Sequence, residues 1–302
     1  MLPAFLATIL YSLSAVFATR SARVLGPVKA NLGRMTLALL LLGFWAHLWG
    51  QGLHGASLGW FLVSGIIGYG IGDICLFQAL PRIGPRLTML IIHCLAVPLA
   101  AVSEMLWLGT TLRLVEVVCI GVVIAGVYVA LTPVRHFNIK AGAFRAGVVA
   151  AFGSCLCQAG STVISRKANQ VAELFGMHID GGTAAYQRMI GGIATTVLFT
   201  LVVKFLRPRA EVANPASSRS GGMGWLYLVL NAVAGPTLGV ACFQWAVSVI
   251  PGGVVQTVVS TTPVVTIPLA YWLDHDRPST RSIFGGVVAV AGTVALALCH
   301  SR

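Results

Sequence analysis

Charge is what this sequence has least of. Asp, Glu, Lys and Arg make up 9% of its 302 residues, against about 25% in soluble domains. Acids are the scarcer sign, with 8 Asp and Glu beside 20 Lys and Arg. A water-soluble chain of this length needs far more polar surface to stay dispersed. With 57% hydrophobic residues and a mean hydropathy of +0.88, the sequence points to lipid as its solvent. Paired cysteines are lacking too. The seven (75, 94, 119, 155, 157, 242 and 299) fall within or at the end of apolar segments, and none has CxxC spacing. Cys155 and Cys157 are two apart and point to different sides of a helix, so neither a disulfide framework nor a metal site is expected, and no cofactor. A basic stripe interleaved with aromatics is also missing. The net charge of +12 is spread singly between apolar segments, which speaks against a nucleic-acid partner and for membrane topology signals. There is no long polar stretch either. The longest connection, RPRAEVANPASSRSGG (207–222), is too short to fold alone, which leaves no room for a nucleotide-binding engine.

What is present is a series of greasy segments. A spanning helix needs about 20 mostly apolar residues. The stretches 2–19, 31–49, 58–80, 87–108, 114–132, 144–165, 183–205, 223–248, 253–273 and 282–299 qualify. The first has no basic residue before it, so it is expected to be a retained helix rather than a cleaved signal. The segments repeat. Phe77-Gln78 in the third recurs as Phe243-Gln244 in the eighth, and Arg34-Met35 in the second recurs as Arg188-Met189 in the seventh. GVVIAGV (from Gly121) likewise recurs as GVVAVAGTV (from Gly286). The expected fold is an all-α polytopic membrane protein of ten transmembrane helices, arranged as two inverted-topology five-helix repeats. The first repeat covers 1–132, a linker 133–143, and the second repeat 144–302. Five is odd, so the second half enters from the opposite side. Inverted halves give two similar conformations, one open to each side, and that is how alternating access is built.

Loop charges set an orientation. Arg20, Arg23, Lys29, Arg82, Arg86, Arg135, Lys140, Arg145, Lys204, Arg207, Arg209, Arg219, Arg277 and Arg281 lie near one side, fourteen in all. Only four, Arg113, Arg166, Lys167 and Arg302, lie near the other, which puts both termini outside the cytoplasm.

Asp73 is the sharpest feature. No other formal charge stands between Trp60 and Leu80, and an ionised carboxylate at bilayer depth costs at least ~2.5 kcal/mol. Steps of four place Tyr69, Asp73 and Phe77 on one helix face. That arrangement suits a cationic or amphipathic solute, or a coupling proton. It suits equally an acid that neutralises Arg34 or Arg188 inside the bundle, or one that caps a break at glycines 68, 70 and 72. His93 and Glu104 lie eleven residues apart, near one face of the fourth segment despite Pro98. A buried neutral imidazole explains the first, and snorkelling to the headgroups the second. Tyr11, Ser14, Gln158 and Gln244 are polar groups at bilayer depth, with interhelical glue as their alternative role. Thr261 belongs to a hydroxyl-rich run around Pro263, where hydroxyls can satisfy the carbonyls that proline frees. The glycine pairs 191–192 and 285–286 read as close-packing sites.

The blocks ALPRIGPRLTMLIIHCLAVPL and WLGTTLR in the first half resemble the drug/metabolite transporter superfamily, specifically its EamA-type ten-helix members. So does AVSVIPGGVVQTVVSTTPVVTIPLAYWLDHDRPST in the second half, with the glycine-rich last helix. Pro263 and Asp276 sit where that family has a proline and the glutamate of a turn. Thr110 or Thr111 stands where the first half would have that glutamate. The resemblance implies a secondary transporter of small metabolites, amino acids or similar amphipathic solutes, in a bacterial inner membrane. It also implies a central cavity lined by helices 1, 3, 4, 6, 8 and 9, and termini in the cytoplasm, opposite to the loop charges. The expected partners are a small-molecule substrate, the lipid bilayer and a proton as coupling ion. An intramembrane lipid-modifying enzyme would need clustered titratable groups at one membrane face, where only isolated ones occur, so no enzymatic activity is expected. A passive channel or a packing partner in a larger complex is the other alternative.

Overall fold

The computed structural model describes residues 2–108, 113–131, 141–206, 221–249, 255, 258–274 and 279–300. All described secondary structure is helical: α1 (Leu2–Leu25), α2 (Pro27–Leu48), α3 (Leu58–Gly65), α4 (Asp73–Leu108), α5 (Leu114–Leu131), α6 (Ala141–Leu174), α7 (Gly181–Leu206), α8 (Gly221–Ala232), α9 (Val240–Val249), α10 (Thr262–Asp274) and α11 (Thr280–His300). Two π-helical turns complete it, Ile66–Gly72 between α3 and α4, and Val233–Gly239 between α8 and α9. Five stretches are long and apolar enough to cross a membrane: Leu2–Leu25, Leu58–Ala96, Gly142–Leu174, Gly181–Phe205 and Gly222–Ala246. Leu114–Ala130, Thr262–Leu273 and Thr280–Leu296 are shorter apolar helices. The molecule is thus an all-α polytopic membrane protein.

The expected third and fourth segments run on as a single element, with a break inside it. Gly84 takes φ 77 and ψ 167 in the middle of α4, a conformation open essentially to glycine alone. Pro85 reinforces the break by disfavouring helical geometry in the residue before it. Thr88 Oγ1 donates to the Gly84 carbonyl at 2.7 Å, so the carbonyl at the break is not left bare.

Polarity is inside out relative to a soluble protein. Phe205, Trp272, Leu174 and Leu114 face outward, while Arg34, Asp73, Arg188, Asn31, Gln187 and Asn231 are buried. The buried residues of α2 show how the sequence arranges this. Ala30, Asn31, Arg34, Met35, Ala38, Leu42 and Ala46 recur at helical spacing and make one inward stripe. Leu40, Leu41 and Phe44 look the other way.

Helices meet closely where side chains are small. A methyl at Gly65 would lie 1.8 Å from the Arg188 carbonyl oxygen, one at Gly191 2.2 Å from that of Leu62, and one at Gly192 2.4 Å from Tyr69 Cβ. These contacts press α3 and the first π-turn onto α7. On α5 and α11, a methyl at Gly126 would meet Ala289 N at 2.5 Å and one at Gly285 would meet Ala130 N at 2.5 Å. Gly286 is the exception among the four paired glycines, with only ordinary contact to Leu90.

The same contacts give helix directions. Trp45 near the end of α2 meets Gly182 at the start of α7, while Met35 lies against Gly192 and Thr196 further along α7. Gly126 and Ala130 on α5 meet Ala289 and Gly285 in descending order on α11. Both pairs therefore run antiparallel.

Candidate functional site

Three formal charges converge in the apolar interior. Arg34 Nη2 donates to Asp73 Oδ2 in a short ion pair, and Arg34 Nε donates to Asn31 Oδ1 at 3.1 Å. The guanidinium of Arg34 also lies over the Phe77 ring, 4.6 Å from its centroid. Arg188 approaches from α7, its guanidinium 4.9 Å from the centre of the Tyr69 ring. Arg188 Nη2 donates to Ser161 Oγ on α6 at 3.2 Å. Arg34, Asp73 and Arg188 are 5%, 3% and 6% exposed, so water reaches none of them freely.

Tyr69 and Phe77 stand four residues to either side of Asp73, and each ring carries one arginine on its face. Such contacts are worth about 2 kcal/mol when desolvated. The π-turn Ile66–Gly72 makes the fit possible. It widens the helix just before Asp73, and its glycines admit Arg188 and Ser161, with a methyl at Gly68 falling 2.5 Å from Ser161 Oγ. Asp73 therefore opens α4 as the partner of Arg34, which is one of the roles its sequence setting allowed.

The other predicted residues divide into groups. Tyr11 packs in the cluster that holds Tyr69, and its ring stacks on His93 with centroids 6.3 Å apart and lies 6.4 Å from Phe243. These rings form an interior group beside Tyr69. Gln158 lies beside Gly72, its Nε2 3.8 Å from where a methyl there would sit, and Ser161 one turn on holds Arg188. Ser14 is placed elsewhere, donating to Asn231 Oδ1 at 2.7 Å and tying α1 to α8. Gln244 is buried against Gly181 at the start of α7. Thr261 Oγ1 donates to the Val258 carbonyl at 2.6 Å, and Thr262 Oγ1 donates at 2.6 Å to Val259, the carbonyl left without a helical donor by Pro263. These hydroxyls serve their own backbone. The side chain of Glu104, together with Thr110, Thr111 and Asp276, lies outside the described residues.

Among the described residues the structure shows two small voids of about 10 Å3 each. One lies among Arg86, Leu87, Leu90, Pro263 and Ser282, and another beside Asn31, Phe77 and Gln78. Neither holds more than about one water. A clasp closes one end of the bundle, and sequence reasoning missed it. Asp180 Oδ1 accepts from the backbone N–H groups of Gly182 and Thr183 at 2.9 and 3.0 Å, capping α7, and from Trp45 Nε1 at 3.0 Å. Gln51 Nε2 donates to the His178 carbonyl at 2.8 Å, and Gln187 Nε2 to that of Gly52 at 3.0 Å. Burial raises the Asp180 carboxyl, but the hydrogen bonds from Thr183, Trp45 and Gly182 outweigh it and hold the group below its ordinary value of 3.8. The signal available in the sequence was Asp180 placed before Gly-Gly-Thr at a helix start. At the opposite end Arg20 Nη1 donates to Tyr227 Oη at 2.7 Å, joining α1 to α8.

A bundle of apolar helices around buried charged side chains fits a protein that works inside a membrane. The sequence profile of the EamA-like transporter family matches residues 1–132 and again 145–298, and the chain belongs to that family. Its general activity is accordingly secondary transport. Among curated proteins none matches the chain. One solved structure, titled only "Crystal structure of protein", superposes with a TM-score of 0.64 at 18% identity, covering 100% of this chain and 98% of that one. At that identity the likeness speaks for the fold alone.

Proposed function

We propose that the chain is an alternating-access transporter of small metabolites, built as two inverted five-helix repeats in ten membrane passes, and that it catalyses no covalent reaction. The observation that carries this reading is the antiparallel contact of equivalent helices. α2 against α7 and α5 against α11 are each a helix packed on its own counterpart running the other way. Several other neighbours fit the same exchange of halves, although the α1–α2 contact has no comparable α6–α7 counterpart among the described residues. α1 packs on α10 as α6 packs on α4, α1 on α8 as α6 on α3, and α2 on α8 as α7 on α3. The π-turns also correspond, with Gly68 and Gly72 in one and Gly235 and Gly239 in the other.

In this reading the buried cluster is the middle of the transport path, and the clasp around Asp180 is one of its two gates. Asp73 takes a coupling proton when it releases Arg34, because a carboxylate parted from its cation at that depth is unstable unless neutralised. The setting is a plasma membrane. The test is counterflow in liposomes with labelled amino acids and related small amphipathic metabolites. Uptake accelerated by unlabelled solute on the far side is expected. Flux indifferent to trans solute would mean a channel, and turnover of lipid by the purified protein an enzyme.

A further inference from the structure

The two repeat-related arginines are not equally provided for. Arg34 lies seven residues into α2 and Arg188 seven residues into α7, each roughly 10 Å along its helix from the first residue. Arg34 has a carboxylate, an amide and an aromatic face. Arg188 has an aromatic face and one serine hydroxyl at 3.2 Å. Its Nε, the atom that in Arg34 binds Asn31, is buried with no hydrogen-bond partner among the described residues. The sequence accounts for the difference. Where the first half has Asn31 the second has Ala185, and where the first has Asp73 the second has Gly239 or Val240.

Among the described residues of this cluster, two arginines against one aspartate leave one positive charge. A guanidinium presents five donors in a planar fork and stays charged at any physiological pH. Buried charges are ordinarily paired, and an unpaired one persists where its partner arrives from outside the chain. The fork matches a planar or tetrahedral oxyanion, bound through two parallel N–H···O contacts. A cationic solute would meet Arg188 and be repelled, and Asp73 is already held by Arg34.

We propose that Arg188 is an oxyanion anchor, binding the carboxylate or phosphate group of the transported solute against the Tyr69 ring. The proposal rests on the transporter reading and deepens it by assigning the substrate an anionic group. Ser161, which touches Arg188 Nη2, holds the guanidinium in position, and Gly68 leaves room for it.

The test uses the purified full chain, with benzoate, L-leucine and inorganic phosphate as probes and benzamide and benzylamine as uncharged and cationic controls. Stability is read as melting temperature in detergent, and transport as counterflow in liposomes. At least one of the three oxyanion-bearing probes should raise the melting temperature of wild type, L-leucine doing so through the carboxylate of its zwitterion, and the controls should not. Arg188→Gln should lose the anion-dependent rise in melting temperature and at least tenfold of anion counterflow, whatever its own melting temperature without probe. Arg188→Lys, which keeps the charge without the fork, should keep part of both. Benzoate or leucine as the active probe assigns a carboxylate, and phosphate as the active probe a phosphoryl group. If no anion stabilises wild type, or if Arg188→Gln responds as wild type does, the anchor is overturned. Counterflow of benzylamine or benzamide that ignores Arg188→Gln would overturn the anchor while leaving the transporter intact. Anion binding that depends on Arg188, without counterflow of any solute, would retain the anchor and remove the transporter reading.

Discussion

Asp73 and Arg34 show what a buried pair can and cannot contribute. Two charges taken out of water lose solvation that their mutual attraction barely restores, so the pair as a whole adds little stability. Breaking it is another matter. Asp73→Asn would leave the Arg34 guanidinium with Asn31 and the Phe77 face alone. Removing one partner of such a pair costs about 3–5 kcal/mol, so the melting temperature in detergent is expected to fall well below wild type. Arg34→Gln combined with Asp73→Asn should recover most of the loss, since no charge is then left uncompensated. A double variant as unstable as the single one would mean that shape, not charge, is what Asp73 supplies. In liposomes the double variant should also lose the pH dependence of transport, and retention of it would clear Asp73 of proton coupling. Asp180 obeys a different sign of argument at the membrane face. Its carboxyl is held below 3.8 in the folded chain, so its contribution is fully present above that value and disappears as pH falls through the lower folded value. Asp180→Ala removes a helix cap and should cost about 1 kcal/mol at neutral pH. The gap in melting temperature between the two proteins should stay constant down to weakly acidic pH and close only in strong acid. A gap that closes near neutrality would show that another group drives it.

At the scale of helices, the tight crossings set what the bundle tolerates. Gly121 and Gly126 stand on the same helix, α5, yet differ in surroundings. A methyl at Gly121 meets nothing within 4 Å, while one at Gly126 would sit 2.5 Å from the Ala289 backbone nitrogen on α11. Gly126→Ala is therefore expected to destabilise by about 1–3 kcal/mol, the usual range for overpacking, and Gly121→Ala to be neutral or slightly stabilising. Thermal unfolding of the two variants side by side decides it, and equal melting temperatures would mean that the α5–α11 contact yields easily. That the chain is all-helical and apolar enough for a membrane was legible from run length, and the face of Tyr69, Asp73 and Phe77 was expected from helical period. Both are local properties, whereas the joining of the expected third and fourth segments was not legible. The partners of that face were legible only as a choice, since spacing cannot say whether Arg34 or Arg188 comes closer to Asp73. The π-turns were not legible. A single extra residue per turn leaves no compositional mark beyond glycines, which also serve close packing. Thr261 illustrates the opposite failure. A hydroxyl-rich helix face reads equally as a cavity wall or as repair around Pro263, and only the bond to Val258 separates the two. The clasp went unseen because Trp45, Gln51 and Asp180 are more than a hundred residues apart in part of their contacts and meet only through the antiparallel approach of α2 and α7.

For the whole molecule the open choice is which way it faces, and two kinds of reasoning disagree. Family likeness implies cytoplasmic termini, whereas fourteen Lys and Arg near one side against four near the other imply the reverse. The charge rule acts during insertion, on short loops close to helix ends, and every loop here is of that kind. It is therefore the argument with a direct physical cause. We expect the connections holding Arg135 and Arg207 to be cytoplasmic, and the turn containing His54, on the clasp side, to face outward. Single cysteines placed at 54, 135 and 207 are read with a membrane-impermeant thiol reagent on intact cells, over the background of the seven native cysteines. Labelling at 54 with protection at the other two is the expected pattern. In that arrangement Trp45 and Trp49 lie at the outer interface, as aromatic belts do, and the Asp180 clasp closes the outer gate. Strong labelling at 135 and 207 with none at 54 would reverse the molecule. The clasp would then close the cytoplasmic gate, and the excess of basic residues would need a cause other than insertion.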